Sequence, residues 1–321
     1  MDPAEHRSSA GSPETGRADA AARRGPAFVP PTGRLTVARY ASGFGYSASE
    51  WSAALRGVDW RGGARIYKRG RKGTVWRASL RVGGARGREA DGVIKVEPLG
   101  TPGKRILSLM HRTKAWRQWR GAERLREAGL GCTEPWAIVR GRGPGGWVEA
   151  FIGGWIEGPT VLERLADPGL TPAEESRLAG LVGDQLAAMW SSRPYVINGD
   201  HKPSNLVVSG DRLRVIDTLD ISNARPLRPP MFEDLLREPL GCGLRPSAAA
   251  CRVVLRRASI PGWLAREVTL SGWRREHAGL RRQLLDRAWA FRPEDDPLAR
   301  PERLTDPTAG PELERSEAGG R

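Results

Sequence analysis

The stretch Tyr195–Ile221, YVINGDHKPSNLVVSGDRLRVIDTLDI, decides how the rest of the chain is read. Two β-like runs, Leu206–Ser209 and Leu213–Ile216, flank a tight turn at Gly210-Asp211. A polar loop with Asp200, Lys202 and Asn205 precedes the first run, and Asp217 follows the second. A strand-loop-strand with an acid at each end can hold a metal against an anionic group.

Phosphoryl transfer asks a protein mainly to position groups and to offset charge. The residue types fit those tasks. Asp200 is the candidate catalytic base, set to orient an acceptor hydroxyl and take its proton. Asn205 and Asp217 are oxygen donors suited to hard Mg²⁺. Lys202 is the cation that would offset charge on the transferring phosphate.

Upstream, Lys68-Arg-Gly-Arg-Lys-Gly-Thr-Val runs from a short strand candidate, Ala64–Tyr67, into a second, Val75–Val82. Glycines at such a turn let backbone N–H groups approach phosphates, which makes Gly70, Gly73 and Val75 candidate nucleotide contacts. A third strand, Asp91–Glu97, carries Lys95 on the face opposite Ile94 and Val96. Arg105–Ala128 reads as one helix ended by Gly129 at C′. Its Ala115, Gln118, Ala122 and Leu125 share a face. Gln118 is the residue there that could hydrogen-bond Lys95, and Glu123 points elsewhere. Strand-like runs at Trp136–Val139 and Trp147–Ile152 bracket a Gly-Pro turn. They lead to Trp155–Gly158, where Glu157 is a further candidate nucleotide contact. Beyond Pro159 helices dominate. Thr171-Pro-Ala-Glu174 is a capping-box start with proline at N1. Phe232–Glu238, Ser247–Arg257 and Leu264–Trp289 are further helix candidates, with Trp263, Trp273 and Trp289 expected in a core.

The chain has 321 residues and a net charge of +15, yet only six of its 52 basic residues are lysines. The charge permits contact with anionic lipid, glycan or nucleic acid, but no nucleic-acid-binding motif accompanies it. Three cysteines in no metal-binding spacing fit a reducing compartment. The polar, acidic start lacks the form of a secretory signal, and no apolar run reaches membrane-spanning length. The expectation is a cytoplasmic protein, peripheral to the inner membrane if it meets a membrane at all. Residues 1–36 and 292–321, rich in Gly, Pro and charge, are expected to be disordered.

Taken in order, the glycine turn, the VIKV lysine, the REAGL helix end, NGDHKPSN and VIDTLDI resemble the protein-kinase-like superfamily. Within it the chain is most similar to bacterial lipopolysaccharide kinases of the Kdo/heptose kinase family. The features that point there are AWRQWRGAERLREAGL, HKPSNLVV and the basic RVVLRRAS. The resemblance spans roughly Ile66 to Ser259. It implies an α+β, two-lobed fold: an antiparallel-sheet lobe with one long helix over residues 37–158, and a mainly helical lobe over 159–291. It also implies ATP and Mg²⁺ in the cleft. Lys95 would contact the ATP phosphates, Asp200 would be the base, Lys202 would assist transfer, and Asn205 and Asp217 would bind Mg²⁺. The implied acceptor is a sugar of lipopolysaccharide core or a related glycolipid, and nucleic acid is not an expected partner. The chain departs from the superfamily pattern at three points. Asn198 stands where a histidine is usual, Thr218-Leu219 replaces Phe-Gly, and no long segment with an A-P-E anchor follows. A small-molecule or protein kinase of the same fold, and a nucleotide-binding scaffold without turnover, stay open as alternatives.

Overall fold

A computed structural model describes residues 28–258, apart from 32, 61–62, 71, 83–87, 144–145, 224–233, 236, 240–241, 243 and 245. The expected helix at Leu264–Trp289, the tryptophans at 263, 273 and 289, and the tail 292–321 lie outside the described residues, as do 232, 233 and 236 of the expected helix Phe232–Glu238, whose other residues are helical.

The first lobe is built on a six-stranded antiparallel sheet in the order β1-β5-β6-β4-β3-β2. The strands are β1 (Leu35–Tyr40), β2 (Arg65–Gly70), β3 (Gly73–Val82), β4 (Arg88–Pro98), β5 (Pro135–Gly143) and β6 (Gly146–Gly154). Alternation along the strands divides the sheet into two faces. Ile94, Val96, Ala150 and Ile152 face a core with Trp76, Leu80 and Trp136, closed by Trp51 and Leu55 of helix α1 (Ala48–Arg56). The opposite face carries Lys95, which pairs across the sheet with Val75 and with Phe151. Phe151 and Ile138 there pack against Trp116 and Trp119 of α3 (Lys114–Glu127).

Two expectations change. Residues up to 36 are not all tail: Leu35 is buried in β1, and Trp76 Nε1 donates to Phe28 O at 2.8 Å. Phe28 N in turn donates to Thr74 Oγ1 at 2.8 Å. The apolar side chains of Phe28 and Val29 cover the sheet core, which offsets the entropy of ordering this segment. Residues 1–27 lie outside the described residues. The lobe accordingly has a helix, α1, that no strong periodicity announced. Its start is a capping box between Ser47 and Glu50.

The second change is that Arg105–Ala128 is two helices, α2 (Pro102–Leu109) and α3, with His111 at φ 56° between them. The cause is Glu149, wholly buried on β6. A buried carboxylate must be paired and hydrogen-bonded. Ser108 Oγ donates to it at 2.5 Å, Thr113 Oγ1 donates to its other oxygen, and Arg140 forms an ion pair at 3.1 Å. Gathering Ser108 and Thr113 around one carboxylate bends the chain where helical propensity alone would run on. Gly129, at φ 71°, ends α3 as expected.

The second lobe begins with α4 (Val161–Leu165) and α5 (Pro172–Ser191), the latter opened by the Thr171/Glu174 capping box. Helix α6 (Ala248–Arg257), capped by Ser247, packs along α5. Leu178, Val182, Leu186 and Met189 of α5 build a core with Val196, Leu206, Val208, Leu213 and Val215. Short strands β7 (Ile197–Asn198) and β10 (Ile221–Ser222) pair, as do β8 (Leu206–Ser209) and β9 (Arg212–Val215). The turn between β8 and β9 uses Gly210 at φ 60°. No helix among the described residues is long and apolar enough to cross a membrane.

Candidate active site

The β8–β9 ribbon is gripped from both sides. Val208 N donates to Pro159 O at 2.9 Å on one edge, and Val215 N donates to Gly131 O at 3.0 Å on the other. This fixes the polar loop before β8 and the residue after β9 in one frame. In the loop, Asp200 N donates to Asn198 Oδ1 at 3.0 Å, and Asn198 is fully buried. Asn198 therefore performs the loop-holding task of its position without a histidine. Asn205 Nδ2 donates to Asp200 O at 2.9 Å and to Asp200 Oδ2 at 3.0 Å, which turns its amide oxygen away from Asp200. Lys202 Nζ forms an ion pair with Asp200 Oδ1. Ser204, next to Asn205, donates from N and Oγ to the buried Glu238 at 2.8 and 2.6 Å. Burial pushes the Glu238 carboxyl up from its ordinary value against those hydrogen bonds. Sequence reasoning missed Glu238 as a support of this loop.

The neighbouring histidine supplies a pH test of the loop. His201 is fully buried, with Asn198 Nδ2 at 3.3 Å from its Nδ1, and burial pushes its pKa down to about 3. Below about pH 6.5 the unfolded chain takes up a proton here that the folded chain refuses. Stability present at neutral pH is therefore lost as pH falls from about 6.5 toward 3. This residue alone accounts for about 2 kcal/mol between pH 7 and pH 5. Urea unfolding at the two pH values measures it, and His201→Gln is expected to flatten the slope.

Across the cleft, Lys95 Nζ donates to Gln118 Oε1 at 3.2 Å and to Ile216 O at 2.9 Å. It lies 3.5 Å from Asp217 Oδ1. Ile216 N donates to Asn205 O at 3.0 Å, so one residue, through both its backbone groups, links the lysine of the first lobe to the loop of the second. Gln118 Oε1 also accepts from Thr218 N at 3.1 Å and from Thr218 Oγ1 at 3.0 Å. Lys95 Nζ and Thr218 N can only donate, so the atom they share is the oxygen, and Nε2 is the end that donates to Asp217 Oδ1. Burial alone would raise the Asp217 carboxyl. Lys95, the Gln118 amide, the Leu219 N–H and the Lys68 ammonium outweigh it and hold the group below its ordinary value. The aspartate is thus kept ionised, as a cation ligand must be.

A glutamine can bridge an ammonium and a carboxylate because its amide both accepts and donates. Gln118→Glu would set a second carboxylate against Asp217, which raises the pKa of one of the two. The expected cost is about 1–3 kcal/mol at pH 8 relative to the native chain. It is recovered near pH 5, since a raised pKa gives stability that disappears as pH climbs through it. Paired urea titrations of the two chains read the difference.

A cavity of about 620 Å³ opens between the lobes. Val75 and Val93 line its sheet side, Val207 and Ile216 the other, and Lys68, Lys95, Asn205 and Asp217 one end. The linker Gly154–Thr160 forms its back wall, with Thr133 beside it. Gly73 pairs with Gly70 at the β2–β3 turn and has φ 145°. A Cβ at Gly73 would meet Val96 O at 2.3 Å. That glycine is required by the sheet itself, and it is not among the described residues that line the cavity. Glu157 lines it, but its carboxylate takes an ion pair from Arg77 at 3.0 Å and a hydrogen bond from Trp155 Nε1 at 2.9 Å. Glu123, as read from the helix, points away, accepting from Trp119 Nε1 at 2.7 Å. Thr218, Val93 and Ile156 also belong to this region and were not singled out from sequence.

A sheet lobe with its lysine strand, a helix whose polar residue meets that lysine, a linker, and a helical lobe with the loop and ribbon together define a two-lobed, protein-kinase-like α+β fold. No family model matches the sequence, and no curated protein matches it. Among solved structures, the chain is similar to WaaP in complex with acyl carrier protein, at 19% identity and TM-score 0.42 over 70% of this chain and 87% of that one. It is similar to a putative aminoglycoside phosphotransferase from Ralstonia eutropha JMP134, at 12% identity and TM-score 0.39 over 80% and 96%. It is also similar to the kinase domain of maize sucrose-induced receptor kinase 1 bound to AMP-PNP, at 17% identity and TM-score 0.40 over 84% and 98%.

Proposed function

We propose that the protein is an ATP- and Mg²⁺-dependent phosphotransferase whose acceptor is a hydroxyl on an anionic glycolipid, in the manner of a lipopolysaccharide-core sugar kinase. The observation that carries the reading is the convergence of Lys95, Asn205 and Asp217 on one cavity that also has apolar side chains on its sheet side and its ribbon side. Val75, Val93, Val207 and Ile216 offer two apolar surfaces for a purine, and the polar end offers two ammonium groups, one amide oxygen and one ionised carboxylate. Those donors fit a metal-bound triphosphate: Mg²⁺ takes oxygen ligands, and Asn205 and Asp217 would supply them. When bound, ATP supplies the phosphoryl group and Mg²⁺ offsets its charge.

The chain's own residues divide the remaining work. Lys95 holds the α/β-phosphate end of the nucleotide, and Gln118 keeps Lys95 and Asp217 in register. Asp200 would orient the acceptor hydroxyl and receive its proton as that oxygen bonds to the γ-phosphorus and the γ-phosphorus bond to the β-phosphate oxygen breaks, with ADP as the leaving group. Lys202, paired with Asp200, would offset charge on the transferring group. The acceptor class is supported by the run from Pro98 to Ala122, which has six basic residues and no acid. Such an acceptor sets the reaction at the cytoplasmic face of the inner membrane.

The test is phosphate transfer from γ-labelled ATP in Mg²⁺, offered dephosphorylated core glycolipid, free sugars and aminoglycosides, and a generic protein substrate. Label on the glycolipid sugar is the expected result. Label on a protein or a free small molecule alone would move the acceptor class. ATP bound but never turned over, with every acceptor, would leave a nucleotide-binding scaffold and end the enzyme reading.

A further inference from the structure

Helix α2 is built inside out. Its polar residues hold it to the sheet, and its large apolar residues face solvent. Ser108, the buried member, is spent on Glu149. Arg140 donates to Ser108 O at 2.8 Å, Lys104 donates to Pro98 O at 3.1 Å, and Arg105 Nε donates to Leu99 O at 3.2 Å. Ile106, Leu107, Leu109 and Met110 are exposed at 56%, 43%, 68% and 53%. Only Tyr40 and Trp147 join these four as large apolar residues so exposed among the described ones. At about 100° per residue the four cover an arc of about 160°, and Ser108 sits opposite its centre. Trp147 belongs to the same end of the lobe, since its carbonyl accepts from Leu99 N at 2.7 Å, just before α2.

Charge selects the occupant of this face. Lys104, Arg105, Arg112 and Lys114 flank the apolar arc, and no acidic residue lies between Glu97 and Glu123. Arg120 of α3 extends the basic rim by donating to His111 O at 3.1 Å. A short helix with an apolar outer face, a basic border and a tryptophan at its edge suits the interface of an anionic bilayer, with the apolar side chains below the headgroups. We infer that α2, with Trp147, is the surface by which the protein docks on anionic phospholipid membranes. The inference deepens the glycolipid reading by naming the surface that brings the enzyme to its acceptor, yet docking needs neither nucleotide nor acceptor.

Vesicle co-sedimentation of the full chain tests it, using phosphatidylcholine alone and phosphatidylcholine mixed with phosphatidylglycerol. Binding is expected to the mixed vesicles, to weaken with salt, and to be slight on phosphatidylcholine alone. Ile106→Ser/Leu109→Ser is expected to lower binding at least about tenfold with little change in melting temperature, because both side chains are more than half exposed. Arg112→Gln is expected to weaken binding severalfold, again at an unchanged melting temperature. Asp200→Asn should bind vesicles like the native chain, so loss of turnover and loss of docking are separable. A native chain that ignores mixed vesicles, or a double variant that binds as well as the native chain, overturns the proposal. So does a native dimer that dissociates in the double variant while no vesicle binding occurs, since the face would then belong to a second copy.

Discussion

Asp200→Asn is expected to lower the rate of phosphate transfer by about 10²–10⁴-fold, the range lost when a positioned base is removed. The substitution preserves shape. An asparagine oxygen can still accept from Asn205 Nδ2, which lies 3.0 Å from Asp200 Oδ2 in the native chain. The backbone N–H of residue 200 keeps its bond to Asn198 Oδ1. Lost are the proton acceptor and the charge that Lys202 pairs with. Because Asp200 does not line the nucleotide cavity, the affinity for ATP is expected to change little. Single-turnover transfer and nucleotide binding, measured on the same preparations, separate the two effects. A variant that transfers phosphate at near the native rate would remove Asp200 from the mechanism.

Gly121→Ala is expected to destabilise the fold by about 3 kcal/mol or more, toward the upper end of overpacking costs. For a chain of this size that is a fall of about 6–12 °C in melting temperature. A Cβ on Gly121 would stand 1.8 Å from Thr218 O, 2.9 Å from Thr218 C and 3.1 Å from Ile221 Cβ. A carbonyl cannot yield as a flexible side chain can. The backbone after Asp217 must move, or α3 must retreat. Either shift pulls Gln118 from Asp217 and Lys95, so nucleotide affinity should fall together with stability. Gly180→Ala on α5 is the matching control: nothing lies within 4 Å of its Cβ position, and replacing glycine there should stabilise by about 0.4–1 kcal/mol. Equal melting temperatures for native and Gly121→Ala chains would refute the account of this contact.

The parts of the site that lie close together in sequence were legible in it. Asp200, Lys202 and Asn205 sit within six residues, and a tight turn dictates where Asp217 returns. The partnership of Gln118 with Lys95 was legible for a different reason: helical periodicity put Gln118 on the core face and strand alternation put Lys95 on the inner face. What stayed hidden depends on contacts between distant segments. The break after Leu109 is caused by a buried carboxylate 40 residues further on, Glu149, which no local pattern in Arg105–Ala128 reveals. Phe28 and Val29 sit in a stretch whose composition reads as tail, and their order comes from Trp76 and Thr74. Gly121 is one glycine among 40, and only the approach of the Thr218 carbonyl makes it indispensable. Gly73 was read as a phosphate contact, whereas its conformation and the carbonyl of Val96 give it a reason to be glycine without any ligand.

The contact between Gly121 and Thr218 has a further consequence. Thr218 is fully buried, and its hydroxyl donates to Gln118 O at 2.6 Å, so the helix and the segment after Asp217 are fastened at two successive turns. A swing of this segment away from α3 would have to break both contacts at once, so the two elements are expected to move together.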